Sequence, residues 1–444
     1  MKIYFIGIGG IGVSALARYY LKKGHGVSGS DLIATEITKA LKKEGAKISI
    51  GKHKASNVKK DTNLVIYTFA APKENPELRE ARKLKIKTKT YPEALGDLTK
   101  KYFTIAISGT HGKSTTSSMA GILLKEAGLD PTVLIGTKLK EFGDSNCRVG
   151  KSRYLVIEAD EYGSAFLNYW PKIIALTTLE KEHLDYFKNE KNIFNVFKKY
   201  ISHLPKDGVL IANKDDENIS KLKSHIANPK FKIKNYSLKQ KSDVVKVKKT
   251  LKVPGIHNIS NALAVLNIAR TLGISEKITL KALSKYKGAW RRFEIIPSKI
   301  NNTSYTLISD YGHHPTEIKA TLQAAREKYK KKRIILVYQP HQYQRTKLLF
   351  KDFVKSFDEA DYLILNEIYG VAGREKGNLV SSKNLTEAVN KRWRKGKPVE
   401  FFKNQGDILK KLSKIIKKGD ILIVMGAGDI YNLTLKFTKN LKKK

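Results

Sequence analysis

At 444 residues the chain exceeds the usual size of a single core, so two or three domains are expected. An apolar share of 41%, sparse proline and the lack of a long low-complexity tract argue against a disordered chain; the one cysteine, Cys147, excludes an intramolecular disulfide and suits a reducing compartment. The formal charge of +44, from 85 Lys and Arg against 41 Asp and Glu, raises nucleic-acid binding, but Lys far outnumbers Arg and is spread along the whole chain, which fits solvated helix faces and no specific nucleic-acid partner.

The N-terminal run MKIYFIGIGGIG superficially resembles a signal peptide, yet its glycine spacing and the amphipathic stretch after it read as a strand, a phosphate turn and a helix. No later apolar run approaches the roughly 18 residues of a membrane span, so a cytoplasmic location without a membrane partner is expected. Strands are predicted at Lys2 to Ile6, His25 to Ser30 and Asn63 to Thr68, with helices between them. Gly7, Gly9 and Gly12 form a G-x-G-x-x-G turn after the first strand, where backbone N–H groups at a helix N-terminus can face a pyrophosphate. Asp31 ends the second strand, where an acidic residue would meet a ribose hydroxyl. A generic NAD site, or a turn that merely packs helix on strand, fits the same residues.

A second α/β series opens with a strand at Phe103 to Ser108 and continues through Tyr154 to Ile157 and Ile173 to Thr177. Its turn, Gly109-Thr110-His111-Gly112-Lys113-Ser114-Thr115, places G-K-S between strand and helix, so that Lys113 can reach β and γ phosphates and Ser114 can bind Mg²⁺. This is the shorter G-T-x-G-K-S form, since Ile107 stands where the first glycine of G-x-x-x-x-G-K-S would fall. Glu158, in Glu158-Ala159-Asp160-Glu161, ends a strand, and His183 follows another; both can share a rim beside the phosphate loop.

A third series begins after Gly288, with strands at Tyr305 to Ser309, Arg333 to Tyr338, Tyr362 to Asn366 and Asp420 to Met425. Strand–helix alternation from end to end predicts parallel sheets covered by helices. The soft boundaries near 99 and 288 give three domains, 1–98, 99–287 and 288–444, and Lys442 to Lys444 read as a frayed end.

From Gly109 onward the sequence resembles the Mur ligase family, and G-T-H-G-K-S looks like its L-alanine-adding branch. Gly255-Ile256-His257-Asn258 with Asn261 resembles the family's G-x-H-N-x-x-N-A segment, although helix capping by His and Asn explains the same residues. Arg291-Arg292-Phe293-Glu294 resembles the start of its third domain. Asp310 to Glu317 looks like D-Y-[GA]-H-H-P-x-E, Gln339 to Thr346 like Q-P-H-x-[YF]-x-R-T, and Gly426 to Ile430 like the closing G-A-G-D-I. The resemblance spans nearly the whole chain. Departures fall at Tyr162 and Gly163, where the family often has Ser or Asp, and at Gln342, where many members have Arg.

The resemblance implies an α/β fold of three domains: Rossmann-like, central P-loop ATPase and C-terminal Rossmann-like. It further implies an ATP-dependent ligase of peptidoglycan synthesis that activates the lactyl carboxylate of UDP-N-acetylmuramate as an acyl phosphate, which the amine of L-alanine attacks. On that basis Gly7, Gly9, Gly10, Ile11, Gly12 and Asp31 hold the UDP-sugar, and Gly109 to Thr115, His257, Asn258, Asn261 and Arg292 hold ATP. Ser114, Glu158 and His183 bind Mg²⁺, and Lys113, His183, His341 and Arg345 carry the chemistry, with Arg345 on the amino-acid carboxylate and His183 or His341 as candidate base. Tripeptide addition in wall recycling and a non-catalytic P-loop regulator stand as alternatives. A monomer and a homodimer are equally compatible with the sequence.

Overall fold

β-Branched and aliphatic runs of four to eight residues, most of them followed by a helix, give this chain its three sheets. A computed structural model describes residues 1–180, 184–187, 189–226, 229–300, 303–370, 380–393 and 396–439. His183, assigned above to metal and to catalysis, lies outside the described residues.

The first sheet is wholly parallel, with β1 (Lys2–Ile6) flanked by β2 (Gly26–Asp31) and β4 (Leu64–Tyr67), and β3 (Lys47–Ile50) and β5 (Lys87–Thr90) at the edges. Alternation along β1 sends Ile3 and Phe5 into the larger core and Tyr4 and Ile6 into a smaller one on the other face. Helices α1 (Ile11–Lys22), α2 (Glu36–Lys43), α3 (Pro76–Lys83) and α4 (Tyr91–Lys101) cover it. Thr35 and Thr90 close capping boxes on α2 and α4, and Asn75 with Pro76 starts α3.

The second sheet has seven strands, in the order β12-β11-β10-β6-β9-β7-β8. These are β6 (Phe103–Ser108), β7 (Thr132–Leu139), β8 (Ser145–Arg148), β9 (Tyr154–Ala159), β10 (Ile173–Leu176), β11 (Val209–Asn213) and β12 (Lys232–Tyr236); only the β7–β8 edge pair is antiparallel. Helix α5 (Lys113–Glu126) leaves the centre of this sheet, and α6 (Leu184–Phe187), α7 (Glu190–Ile201), α8 (Glu217–Ser224), α9 (Lys241–Thr250), α10 (Ile256–Thr271) and α11 (Glu276–Lys285) follow in the chain.

The third sheet runs β13-β14-β18-β15-β16-β17, from β13 (Glu294–Ile300), β14 (Thr303–Asp310), β15 (Ile334–Tyr338), β16 (Tyr362–Asn366), β17 (Val399–Phe402) and β18 (Ile421–Met425). An antiparallel β13–β14 pair is appended to an otherwise parallel set, and α12 (Pro315–Lys328) follows β14.

The sheets fall into two compact units, residues 1–252 with 259–287 and residues 253–258 with 288–444. The first two sheets therefore belong to one unit. Within it α1 packs on β7 and β8 through Arg18, which is 3% exposed. Its Nε donates to the Glu44 carboxylate at 2.9 Å and its Nη1 to Asn146 Oδ1 at 2.6 Å, while Asn146 Nδ2 donates to the Ile11 carbonyl at 2.6 Å. A buried guanidinium satisfied on both sides holds its neighbours firmly, since losing either partner strands a charge away from water.

Candidate active site

Central strand β6 ends at Ser108 between β9 and β10, so everything at the carboxyl ends of these three strands gathers around one loop. Gly109 and Gly112 hold φ of +129° and +82°. A Cβ on Gly109 would lie 2.4 Å from Thr177 Oγ1, and one on Gly112 2.4 Å from Asn261 Oδ1, so both positions require glycine for conformation and for space. The Thr110 N–H donates to the Thr178 carbonyl at 2.9 Å and the His111 N–H to Thr178 Oγ1 at 2.8 Å, tying the loop to the end of β10. Helix α5 then begins at Lys113, with Ser114 and Thr115 buried in its first turn. First-turn N–H groups of a helix lack intrahelical partners and favour an anion.

Lys113 Nζ donates to the Gly109 carbonyl at 2.7 Å, the Thr110 carbonyl at 3.3 Å and Glu161 Oε2 at 2.9 Å. Burial opposes its charge, but Glu161, Asp160 and Glu158 more than offset that effect and hold its pKa above the ordinary lysine value. Glu158 pairs in register with Ile107 of β6, which brings its carboxylate to the start of α5. There it accepts from Ser114 Oγ at 3.0 Å, Ser117 Oγ at 3.3 Å and the Gly136 N–H at 2.6 Å. The structure thus brings together Gly109, Thr110, His111, Gly112, Lys113, Ser114, Thr115, Glu158 and Asn261. It adds Glu161, Ser117 and Gly136, to which the sequence attached no role. Ser114 and Ser117 share a helix face by their three-residue spacing, which was a usable signal; Gly136 had none.

At the first glycine turn the N–H groups expected to face a pyrophosphate are largely directed at the protein. Gly7 and Ile8 donate to the Ser30 carbonyl at 2.9 and 3.0 Å, Gly9 to Asp31 Oδ2 at 2.8 Å and Gly10 to the Gly7 carbonyl at 3.2 Å. The first-turn amides of α1, at Ile11 and Gly12, are the ones that helix geometry aims outward. Asp31 is here the acceptor that shapes the turn. A Cβ on Gly9 would lie 2.8 Å from Asp31 Oδ2 and 2.9 Å from Thr38 Cγ2, and one on Gly12 would lie 2.9 Å from the Tyr91 ring.

In the C-terminal unit, Arg291 is buried, donates to the Gly426 carbonyl at 2.5 Å and stacks between Tyr311 and Tyr431, with guanidinium-to-ring distances of 4.8 and 4.7 Å. Burial lowers its pKa. Arg292 sits 3.7 Å from Glu317 Oε1 and 5.1 Å from the Tyr311 ring centre. Glu317 Oε2 accepts from the His313 and His314 N–H groups at 2.8 and 3.1 Å, which sets the start of α12. Asn258 Nδ2 donates to the Pro254 carbonyl at 2.6 Å, which ties α10 back to the segment before it and is not a cap on its opening amides. His257 Nδ1 is buried and has no hydrogen-bond partner among the described residues. Burial, opposed by Glu317, pushes its pKa down to about 4.

That shift gives a testable pH dependence. Unfolded His257 takes up a proton near pH 6.5 and the folded form only near 4, so stability present above pH 6.5 is lost as the pH falls through this window. Thermal melts of His257→Gln are expected to show a flatter pH profile between those values than the parent chain.

Gln339 joins three segments: Nε2 donates to Asn366 Oδ1 at 3.1 Å and to Asp429 Oδ1 at 2.7 Å, and Oε1 accepts from the Ile430 N–H at 3.0 Å. The motifs at 339–346 and 426–430 therefore meet. His341 stacks on Tyr369, with centroids 5.7 Å apart and planes at 9°. Arg345 Nη1 lies 3.2 Å from His341 Nδ1 and 3.1 Å from the His341 carbonyl. Because a guanidinium only donates, His341 Nδ1 is the acceptor and the neutral ring carries its proton on Nε2. A polar cavity of about 370 Å³ lined by Gln339, Asn366, Glu367, Tyr369, Asn404 and Asp429 adjoins this pair.

Three family models match consecutive parts of the chain: the Mur ligase family catalytic domain over residues 2–103, the Mur ligase middle domain over 107–269 and the Mur ligase glutamate ligase domain over 291–428. The UDP-N-acetylmuramate–L-alanine ligase of Caldanaerobacter subterraneus subsp. tengcongensis is 40% identical, over 100% of this chain and 98% of its own length. That of Clostridium acetobutylicum is 42% identical, over 97% and 96%. Among solved structures, the UDP-N-acetylmuramate–alanine ligase of Thermotoga maritima superposes with a TM-score of 0.80 at 28% identity, covering 100% of this chain and 99% of that one. A murein peptide ligase from Psychrobacter arcticus reaches 0.72 at 23% identity, over 100% and 99%, and shares the fold. With three models tiling its length and full-length relatives at about 40% identity, the chain belongs to the Mur ligase family.

Proposed function

We propose that this chain is the ATP-dependent ligase that joins L-alanine to UDP-N-acetylmuramate in peptidoglycan synthesis, acting in the cytoplasm. The observation that carries the reading is the hydrogen-bonded set Lys113, Ser114, Glu158 and Glu161 around the Gly109–Gly112 loop, in a chain that also holds Gln339, His341 and Arg345 together. Full-length identity of about 40% to L-alanine ligases supports the choice of amino acid. The domains are proposed to divide near residues 99 and 288.

In this reading the sugar nucleotide lies on the first glycine turn and ATP on the second. Lys113 leaves Glu161 for the β and γ phosphates, and the amides opening α5 take up phosphate charge as the lactyl carboxylate is phosphorylated. The all-oxygen pair of Ser114 and Glu158, 3.0 Å apart, fits a hard cation such as Mg²⁺, which when bound would neutralise the transferring phosphoryl group. Arg345, whose Nη1 lies 3.2 Å from His341 Nδ1, is assigned the amino-acid carboxylate. With Nδ1 occupied by Arg345, His341 is a poor choice for the base that takes the ammonium proton, and His183 is the remaining candidate.

Supplying ATP, Mg²⁺ and UDP-N-acetylmuramate with single amino acids and reading products by mass is expected to show UDP-N-acetylmuramoyl-L-alanine with ADP and phosphate. Faster joining of a cell-wall tripeptide would overturn the branch, and ATP turnover without either acceptor would favour a P-loop regulator. Glu158→Gln keeps the size of the side chain and removes its charge, so the Mg²⁺ concentration for half-maximal rate should rise at least about tenfold. An unchanged metal titration would remove Glu158 from the cation site. Gly9→Val drives a side chain against Asp31 and Thr38 and is expected to raise KM for the UDP-sugar far more than KM for ATP. Equal changes would mean that it only damages packing.

A further inference from the structure

Several aromatic rings between the first two sheets have no part in the steps above. Phe69 follows β4 and is 47% exposed. Its neighbour Thr68 abuts the first glycine turn, since a Cβ on Gly7 would lie 2.6 Å from the Thr68 methyl. The Phe69 ring reaches the other way to Gly163, where a Cβ would stand 3.3 Å from Phe69 Cε2. One side chain thus spans from the rim of the first sheet to the turn that follows Glu161, the partner of Lys113.

That turn is held in an unusual shape. Gly163 and Ser164 both adopt left-handed backbone, with φ of +61° and +56°, a conformation that serine seldom takes and that concentrates at ligand sites. Ser164 Oγ lies 3.1 Å from the hydroxyl of Tyr186, which is 44% exposed, and the Tyr186 ring is 5.8 Å from that of Tyr162. Exposed Phe69 and Tyr186 and half-buried Tyr162 therefore flank one turn, and solvent-facing aromatic rings gathered in this way suit a ligand.

We infer that Phe69, Tyr162 and Tyr186 form a ledge for the apolar face of the hexosamine ring of the sugar nucleotide, a specificity element that rests on the function proposed above. The reacting carboxylate is carried on that sugar. With the uridine diphosphate on the turn after β1 and the γ-phosphate at Lys113, as the proposed function has them, the sugar crosses the interval that Phe69 spans. Ring C–H groups of a hexosamine then pack against aromatic faces, while its hydroxyls stay available for polar partners.

The test is calorimetric titration of the full chain, and of Phe69→Ala, Tyr186→Ala and Phe69→Tyr, with UDP, UDP-N-acetylglucosamine, UDP-N-acetylmuramate and ADP, each variant checked by thermal melting. The two alanine variants are expected to bind both UDP-sugars about tenfold more weakly, with UDP and ADP unaffected, and Phe69→Tyr to bind as the parent does. Unchanged UDP-sugar affinity, an equal loss for UDP, or a loss confined to ADP would overturn the ledge. A parent chain that binds neither UDP-sugar would overturn the proposed function and the ledge with it; one that ligates normally while the alanine variants bind normally would overturn the ledge alone.

Discussion

Lys113→Ala is expected to reduce ligation by at least ~10³-fold, the scale on which single preorganised charge-stabilising groups act in a transition state. The side chain donates to two carbonyls of its own loop and to Glu161, so its removal takes a cation from a place with three acidic neighbours, Glu158, Asp160 and Glu161. The loss should therefore fall on kcat, through phosphoryl transfer, more than on binding of the UDP-sugar, whose proposed turn lies on another sheet. Circular dichroism and melting temperature serve as controls, because a stranded Glu161 will lower stability to some extent. A folded Lys113→Ala that ligates at near-normal rates would remove ATP from the second glycine turn.

Arg345→Lys is expected to raise KM for L-alanine roughly ten- to hundredfold, since a charge-assisted hydrogen bond is worth about 1.5–3 kcal/mol and an ammonium cannot reproduce the planar fork. The substitution also removes the donor that fixes the His341 tautomer, 3.2 Å away. A loss confined to the amino acid, with UDP-sugar and ATP binding retained, would assign Arg345 to the carboxylate. Matching losses for all three substrates would instead make it a brace for His341 and α13 (Tyr343–Leu348).

Reading these residues from the sequence succeeded where the physics is local. The G-T-H-G-K-S turn is legible because left-handed glycines and a helix start are set within a few residues, and Gly109 and Gly112 do hold positive φ. Strand–helix alternation likewise announces parallel sheets. The antiparallel β13–β14 and β7–β8 pairs were not legible, although each joins neighbouring segments, because β13 carries Pro297 within its run and β8 is a polar strand of four residues. Asp31 shows a different limit at one residue. A carboxylate at that spacing suits a ribose hydroxyl, but only the folded turn reveals that it takes the Gly9 N–H. Arg291 opens the third-domain motif, and its burial between Tyr311 and Tyr431 was hidden because neither ring is near it in sequence.

The Arg18–Asn146 brace between α1 and β8 has a geometric consequence. By pinning the helix that opens from one glycine turn to the sheet that carries the other, it makes the first unit a ruler whose two marks are set before any substrate arrives. On the proposed placement of the sugar nucleotide, acceptors with a shorter or longer arm between diphosphate and carboxylate should be rejected by reach alone, whatever their chemistry.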